Sequence, residues 1–157
     1  MGIGGLTRDA TYVYSCMVLG DTAVPSKLQV FLMKFDSTLG TLIKEVELSV
    51  SQALDCQVVF TTSQVLLTIS YSTGTTELIS FASTGTNLNV ITTARLRFST
   101  TNYKQTGMGR TSIVGSAVWF FFPSLNTISS LQSMFITYMT DVTNMNWPPL
   151  ILCTEIH

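Results

Sequence analysis

Few side chains in this chain can do chemistry, and their spacing assembles none of the usual sites. The single histidine, His157, stands at the last position, so a nucleophile–base pair built on it would depend on a chain end, where order is weakest. The carboxylates Asp9, Asp21, Asp36, Asp55, Asp141, Glu45, Glu47, Glu77 and Glu155 fall nowhere at the spacing of a calcium loop. Asp36 and Asp141 read instead as turn residues whose side chains bond nearby amides. Gly107-Met-Gly-Arg110 has two of the glycines of a phosphate-cradling loop but lacks the third, and it leads into strand-like sequence rather than a helix. Cys16, Cys56 and Cys153 are odd in number and far apart, which argues against a disulfide framework or a paired-cysteine zinc site. They read as small buried hydrophobes, with one disulfide plus a free thiol as the alternative. The expectation is a protein with no catalytic, cofactor-binding or metal-ligating residue, and hence not an enzyme.

Composition narrows the partners. Only 11% of the 157 residues are charged, where soluble domains average roughly 25%. Serine and threonine make up about a quarter of the chain, so the surface must be hydroxyl-rich or largely covered. With a net charge of −1, 8 basic against 9 acidic residues and no basic cluster, the electrostatic drive for nucleic-acid binding is missing. The longest strongly apolar run, Ile113 to Phe122, falls well short of the ~20 residues that a membrane helix needs. No signal peptide is visible at the N-terminus, where Leu6 stands at the position a myristoylation motif gives to Ser or Thr. No Asn-x-Ser/Thr sequon occurs.

The elements that must position these residues are strands. Leu28 to Phe35 is rich in β-formers, Asp36-Ser-Thr-Leu-Gly40 supplies turn chemistry, and Thr41 to Leu48 resumes as a more polar strand, together a β-hairpin. The same design recurs from Glu77 to Ile91 and from Met134 to Trp147. A strand precedes each hairpin, at Tyr12 to Leu19, Val65 to Tyr71 and Ala117 to Phe122, and Gly2-Ile-Gly-Gly and Gly107-Met-Gly-Arg mark equivalent first strands. The turns at Gly20 to Lys27, Ser72 to Thr76 and Pro123 to Ser130 differ in length, as surface turns on a repeated scaffold do. The period is about 52 residues, giving one all-β domain over 1–157 with approximate units 1–53, 54–105 and 106–157. Second and third strands are apolar at both parities (Leu28, Val30, Leu32 and Phe31, Met33, Phe35), so both faces must be covered. Fourth strands are diluted by Lys44, Glu45 and Glu47 in the first unit and by Asn89, Thr92, Thr93, Arg95 and Arg97 in the second, which places them toward water. Trp119-Phe-Phe-Phe122 reads as core packing between units, and Trp147-Pro-Pro149 as a blunted final edge.

Leu28 to Leu48, with its echoes at Leu78 to Leu96 and Leu131 to Ile151, resembles the blade repeats of β-propellers. In those, a strand ending in an aromatic leads through an Asp/Ser/Gly turn into a more polar outer strand. Phe35-Asp36 with Gly40 fits this pattern; the second unit has Phe81-Ala82 with Gly85, and the third Tyr138-Met139 without a turn glycine. The resemblance implies three four-stranded antiparallel blade-like repeats, open or closed by assembly, since propellers need about 4 to 8 blades. The alternative is a β-trefoil, which also has three four-stranded repeats. The expected function is a non-enzymatic structural and self-assembly module, a filament or surface-assembly subunit at an extracellular or cell-surface location. A carbohydrate-binding lectin-like domain, or a piece of a larger propeller protein, is the alternative. The expected partner is another copy of the chain, with carbohydrate second and nucleic acid and a membrane span excluded.

Overall fold

A computed structural model describes residues 2–20, 28–38, 40–62, 64–71, 75–97, 99–100, 103–105, 110–115, 117–139 and 151–156. Every regular element among them is a strand. β1 (Gly2–Arg8), β2 (Tyr12–Leu19), β3 (Gln29–Asp36) and β4 (Leu42–Ser49) form a first antiparallel meander, and β5 (Ala53–Phe60), β6 (Gln64–Tyr71), β7 (Thr75–Thr84) and β8 (Asn87–Arg97) form a second. The third sheet is built on β12 (Ala117–Asn126), β13 (Gln132–Met139) and β14 (Ile151–Ile156). On the other edge of β12, β10 (Tyr103–Gln105) and β11 (Arg110–Val114) pair with successive stretches, and β9 (Ser99–Thr100) pairs with β10. Among the described residues none of the three sheets closes on itself.

The hairpins form where turn chemistry interrupts β-formers. In the first, Asp36 Oδ1 accepts from the Thr38 amide at 2.7 Å and the Thr38 hydroxyl at 2.5 Å, the turn role expected for it. Gly85, at φ 55°, takes the left-handed position of the β7–β8 turn, a conformation that costs other residues and not glycine. The turn expected from Pro123 to Ser130 begins later. β12 continues through Pro123 to Asn126, with Pro123 opposite Met134. Proline lacks the donor a ladder needs, and here none is needed: β11 reaches Phe121 and β10 starts at Ser124, leaving Pro123 between their registers.

The sheets stack face to face. Strand parity decides which side chains meet, because successive residues point to opposite faces. Tyr14, Cys16, Val18, Val30 and Leu32 of the first sheet enclose a core with Cys56, Val58, Val65, Leu67, Ile69, Ile79 and Phe81 of the second. β6 is buried at seven of its eight positions, whereas β12 alternates between buried and half-buried along its length. The middle sheet is thus covered on both sides and the outer two on one. β1 and β2 pack on β5, while β4 only grazes β8, so the first two sheets diverge from their first strands outward.

Candidate functional site

The residues expected to be chemically idle at the seam between the first and second sheets form its most organised cluster. Lys34 occupies an inward register of β3, in line with Val30 and Leu32 and directly opposite Tyr14. It is 0% exposed. Its Nζ donates to Ser83 Oγ at 2.8 Å, near the end of β7, and to the Gly85 carbonyl at 2.5 Å in the β7–β8 turn of the second sheet, and sits 3.8 Å from the centroid of the Tyr12 ring. Tyr14 Oη donates to Asp9 Oδ2 at 2.5 Å and lies 2.6 Å from Ser83 Oγ. The single tyrosine proton is committed to the carboxylate, so Ser83 donates to Tyr14. Asp9 Oδ1 in turn accepts from the amides of Thr11 and Tyr12, both at 2.6 Å. The chain Lys34 → Ser83 → Tyr14 → Asp9 therefore joins an ammonium to a carboxylate through two hydroxyls, all donors pointing one way. Such aligned bonds polarise one another in a weakly screened site.

The ionisations follow from this geometry. Burial tends to raise the Asp9 carboxyl, but the bonds from Tyr14, Tyr12 and Thr11, with the Lys34 charge behind them, outweigh it and hold Asp9 below its ordinary value. Burial, reinforced by the hydrogen bond to Asp9, raises the Tyr14 phenol. Burial lowers Lys34, and the Asp9 charge partly offsets it. Ser83 beside Lys34 has the residue types of a serine–lysine nucleophile pair. Lys34 nevertheless donates to both Ser83 and the Gly85 carbonyl, which is the behaviour of a cation holding a turn and not of a base taking a proton from Ser83. The arrangement clasps two sheets.

Two further devices close the same seam. Cys16 and Cys56 form a disulfide between β2 and β5, correcting the expectation of free cysteines. Forty positions separate them in sequence, yet facing registers of neighbouring sheets bring their Cα atoms within 6.2 Å. Gly4 lets the backbones of β1 and β5 approach: a Cβ there would stand 1.7 Å from the Cys56 carbonyl oxygen. The Phe60 amide adds a bond to Thr7 Oγ1 at 3.1 Å.

At the seam between the second and third sheets, polar groups of the second sheet lie among the buried apolar side chains Leu66, Leu78, Val118, Phe120 and Phe122. Gln57 Oε1 accepts from the Thr111 amide at 2.9 Å, and the hydroxyls of Thr68 and Thr111 lie 3.5 Å apart. Asp55, Gln57, Gln64, Thr68, Ser70, Thr76 and Ser80 are all buried, with Ser80 bonded to Gln64. Burial raises the Asp55 carboxyl, opposed by the Cys56 amide and the Arg110 charge.

Of the residues singled out by type and spacing, Gly107, Gly109, Asp141, Trp147, Pro149 and His157 lie outside the described residues, and Cys153 lies on β14. Among the described residues no group of three or more His, Cys, Asp or Glu could hold a metal ion, and no helix is long and apolar enough to cross a membrane. Within Trp119-Phe-Phe-Phe122, Phe120 and Phe122 are buried as expected of core, but Trp119 and Phe121 are half-buried on the outer face, where Trp119 stacks on Tyr138 at 4.8 Å. The clasp could have been suspected: a lysine at an inward parity of an apolar strand must have partners. Its partners Asp9 and Ser83 carry no such signal. No model of a known protein family matches the chain, and no curated protein matches it either.

Proposed function

We propose that this chain is a non-enzymatic structural module whose propeller-like blades assemble with further copies, in the manner of a filament or surface-assembly subunit. One observation carries the reading: among the described residues both outer faces of the stack are uncovered and apolar. Val13, Met17, Phe31 and Phe35 lie half-buried on one, and Trp119, Phe121, Ile136 and Tyr138 lie half-buried or exposed on the other. Apolar area is worth about 25 cal/mol per Å² when covered, and a net charge of −1 sets up little repulsion between copies. The divergence of the first two sheets from their first strands suits blades of a ring or a wound stack. The Cys16–Cys56 bond suits an oxidising, extracellular or cell-surface setting. The clasp ties its hydroxyls and charges to each other, which supports holding sheets together over catalysis. Light scattering on the purified chain tests the reading: particles well above the 17.2 kDa of one copy are expected, and a stable, monodisperse monomer would overturn it.

A further inference from the structure

In both seams inside the chain the second strand of one sheet meets the first strand of the next, and this order bears on what covers the open ends. Strand pairing fixes the equivalences: Ser15 is opposite Leu6, Leu67 opposite Val58 and Phe120 opposite Thr111, so Leu6, Val58 and Thr111 hold one position in three successive sheets. By the same registers Cys16, Thr68 and Phe121 hold another. At the first seam Cys16 reaches the first strand of the following sheet at Cys56, and at the second seam Thr68 reaches that strand at Thr111, the equivalent of Val58 and so two residues further along; the second seam, the nearer to the open end, sets Phe121 against the Leu6 position. Phe121 is next in this series, and among the described residues no sheet stands over it.

Exposure tells the same story from the other side. Val58 is 3% exposed because the first sheet covers it, while Leu6 at the equivalent position is 75% exposed. Val65, Ile69 and Phe81 are wholly buried; their equivalents Val13, Met17 and Phe35 are only half-buried. At Leu6, Val13, Met17 and Phe35 the outer face of the first sheet therefore repeats the apolar face with which the second sheet receives the first, whereas Ser15 stands in place of Leu67 and Phe31 in place of Glu77. Resting on the self-assembly reading, we infer that the occupant is a second copy of this chain. The Trp119–Phe121–Tyr138 face of one copy docks on the Leu6–Val13–Met17–Phe35 face of the next, with Phe121 over Leu6. The contact is heterologous, so it closes into a ring or propagates, and it continues the seams already present within each copy.

Two single variants, Leu6→Cys and Phe121→Cys, each also carrying Cys153→Ser, test the register. Mixed and mildly oxidised, they are expected to give a disulfide-linked dimer containing one copy of each, whereas either alone stays largely uncrosslinked. The double variant Leu6→Cys/Phe121→Cys is expected to give a ladder or a cyclic species on non-reducing gels. Circular dichroism checks that each variant folds, and Val13→Cys on the same face replaces Leu6→Cys if it does not. Phe121→Glu is expected to weaken association at least tenfold with an unchanged spectrum. If light scattering shows assembly but the thiols link only like with like, or not at all, this docking is overturned while the self-assembly reading stands. A monomer at all concentrations removes both.

Discussion

The two faces of the middle sheet, built from alternate residues of the same strands, do different work. Toward the first sheet β6 and β7 present Val65, Leu67, Ile69, Ile79 and Phe81; toward the third they present Gln64, Thr68, Ser70, Thr76 and Ser80 with Leu66 and Leu78. The first seam is apolar, cross-linked by a disulfide and clasped at its rim by Lys34, whereas the second mixes hydroxyls and amides with apolar side chains such as Leu66, Phe120 and Phe122. An apolar face is covered by anything of the right shape, while a buried polar face is satisfied only when each group meets its partner. The first seam is thus held chiefly by apolar burial and its cross-links, and the polar groups of the second favour one register.

Breaking the first seam should be costly. Phe81→Ala, at a fully buried position, is expected to lower the free energy of unfolding by about 3–5 kcal/mol in urea titrations, through lost transfer energy plus the cavity left behind. A loss below about 1 kcal/mol would mean that the two sheets do not depend on each other. Removing the covalent link comes next. Cys16→Ala/Cys56→Ala should cost about 2–4 kcal/mol, in keeping with a closed loop of 40 residues, and reductant should produce a similar drop in the parent protein and none in the variant. Lys34→Met tests the clasp. It leaves Asp9 charged without its distant counterion and Gly85 without a donor, so a loss of about 1–3 kcal/mol is expected. Gln57→Leu at the polar seam removes one hydrogen bond to Thr111 and should cost about 1 kcal/mol.

Acid separates the seams by sign, with the smallest effect. Asp9 has a lowered folded pKa, so its contribution is present above the ordinary carboxylate pKa and is lost as pH falls through the folded value. Asp55 has a raised one: its protonated form favours the fold, and that stability is lost as pH rises through the folded value. Unfolding measured from pH 7 downward should therefore show Asp9→Asn flattening the loss of stability in acid, while Asp55→Asn stabilises the protein at pH 7 and loses that advantage in acid. The same direction of change for both variants would refute the assignment of the two carboxylates to opposite environments.

Much of the strand pattern was legible because turn residues and β-formers act locally. Tyr12–Leu19 is found with the ends expected, and β3 and β4 are each displaced by one residue, within the slack that hairpin registers allow. The third unit was harder to read. Pro123 looked like the start of a turn, and only the staggered registers of β10 and β11 make room for it within a strand. Ser99–Thr100 and Tyr103–Gln105, in sequence the close of the second unit, pair into the third sheet because the edge of β12 is open there.

By itself the sequence determined that the chain is all-β, that its strands come as antiparallel hairpins at a period of about 52 residues, and that second strands are largely apolar at both parities; among the second strands, coverage on both faces is seen only for β6. These follow from propensity, turn chemistry and parity, which are properties of neighbours along the chain. Only the tertiary structure decided that Cys16 meets Cys56, that Gly4 exists for a backbone approach, and that Asp9, Tyr14, Ser83 and Lys34 form one chain of hydrogen bonds. Each of these depends on which registers of two sheets face each other, and that is set by how whole faces pack rather than by any stretch of residues.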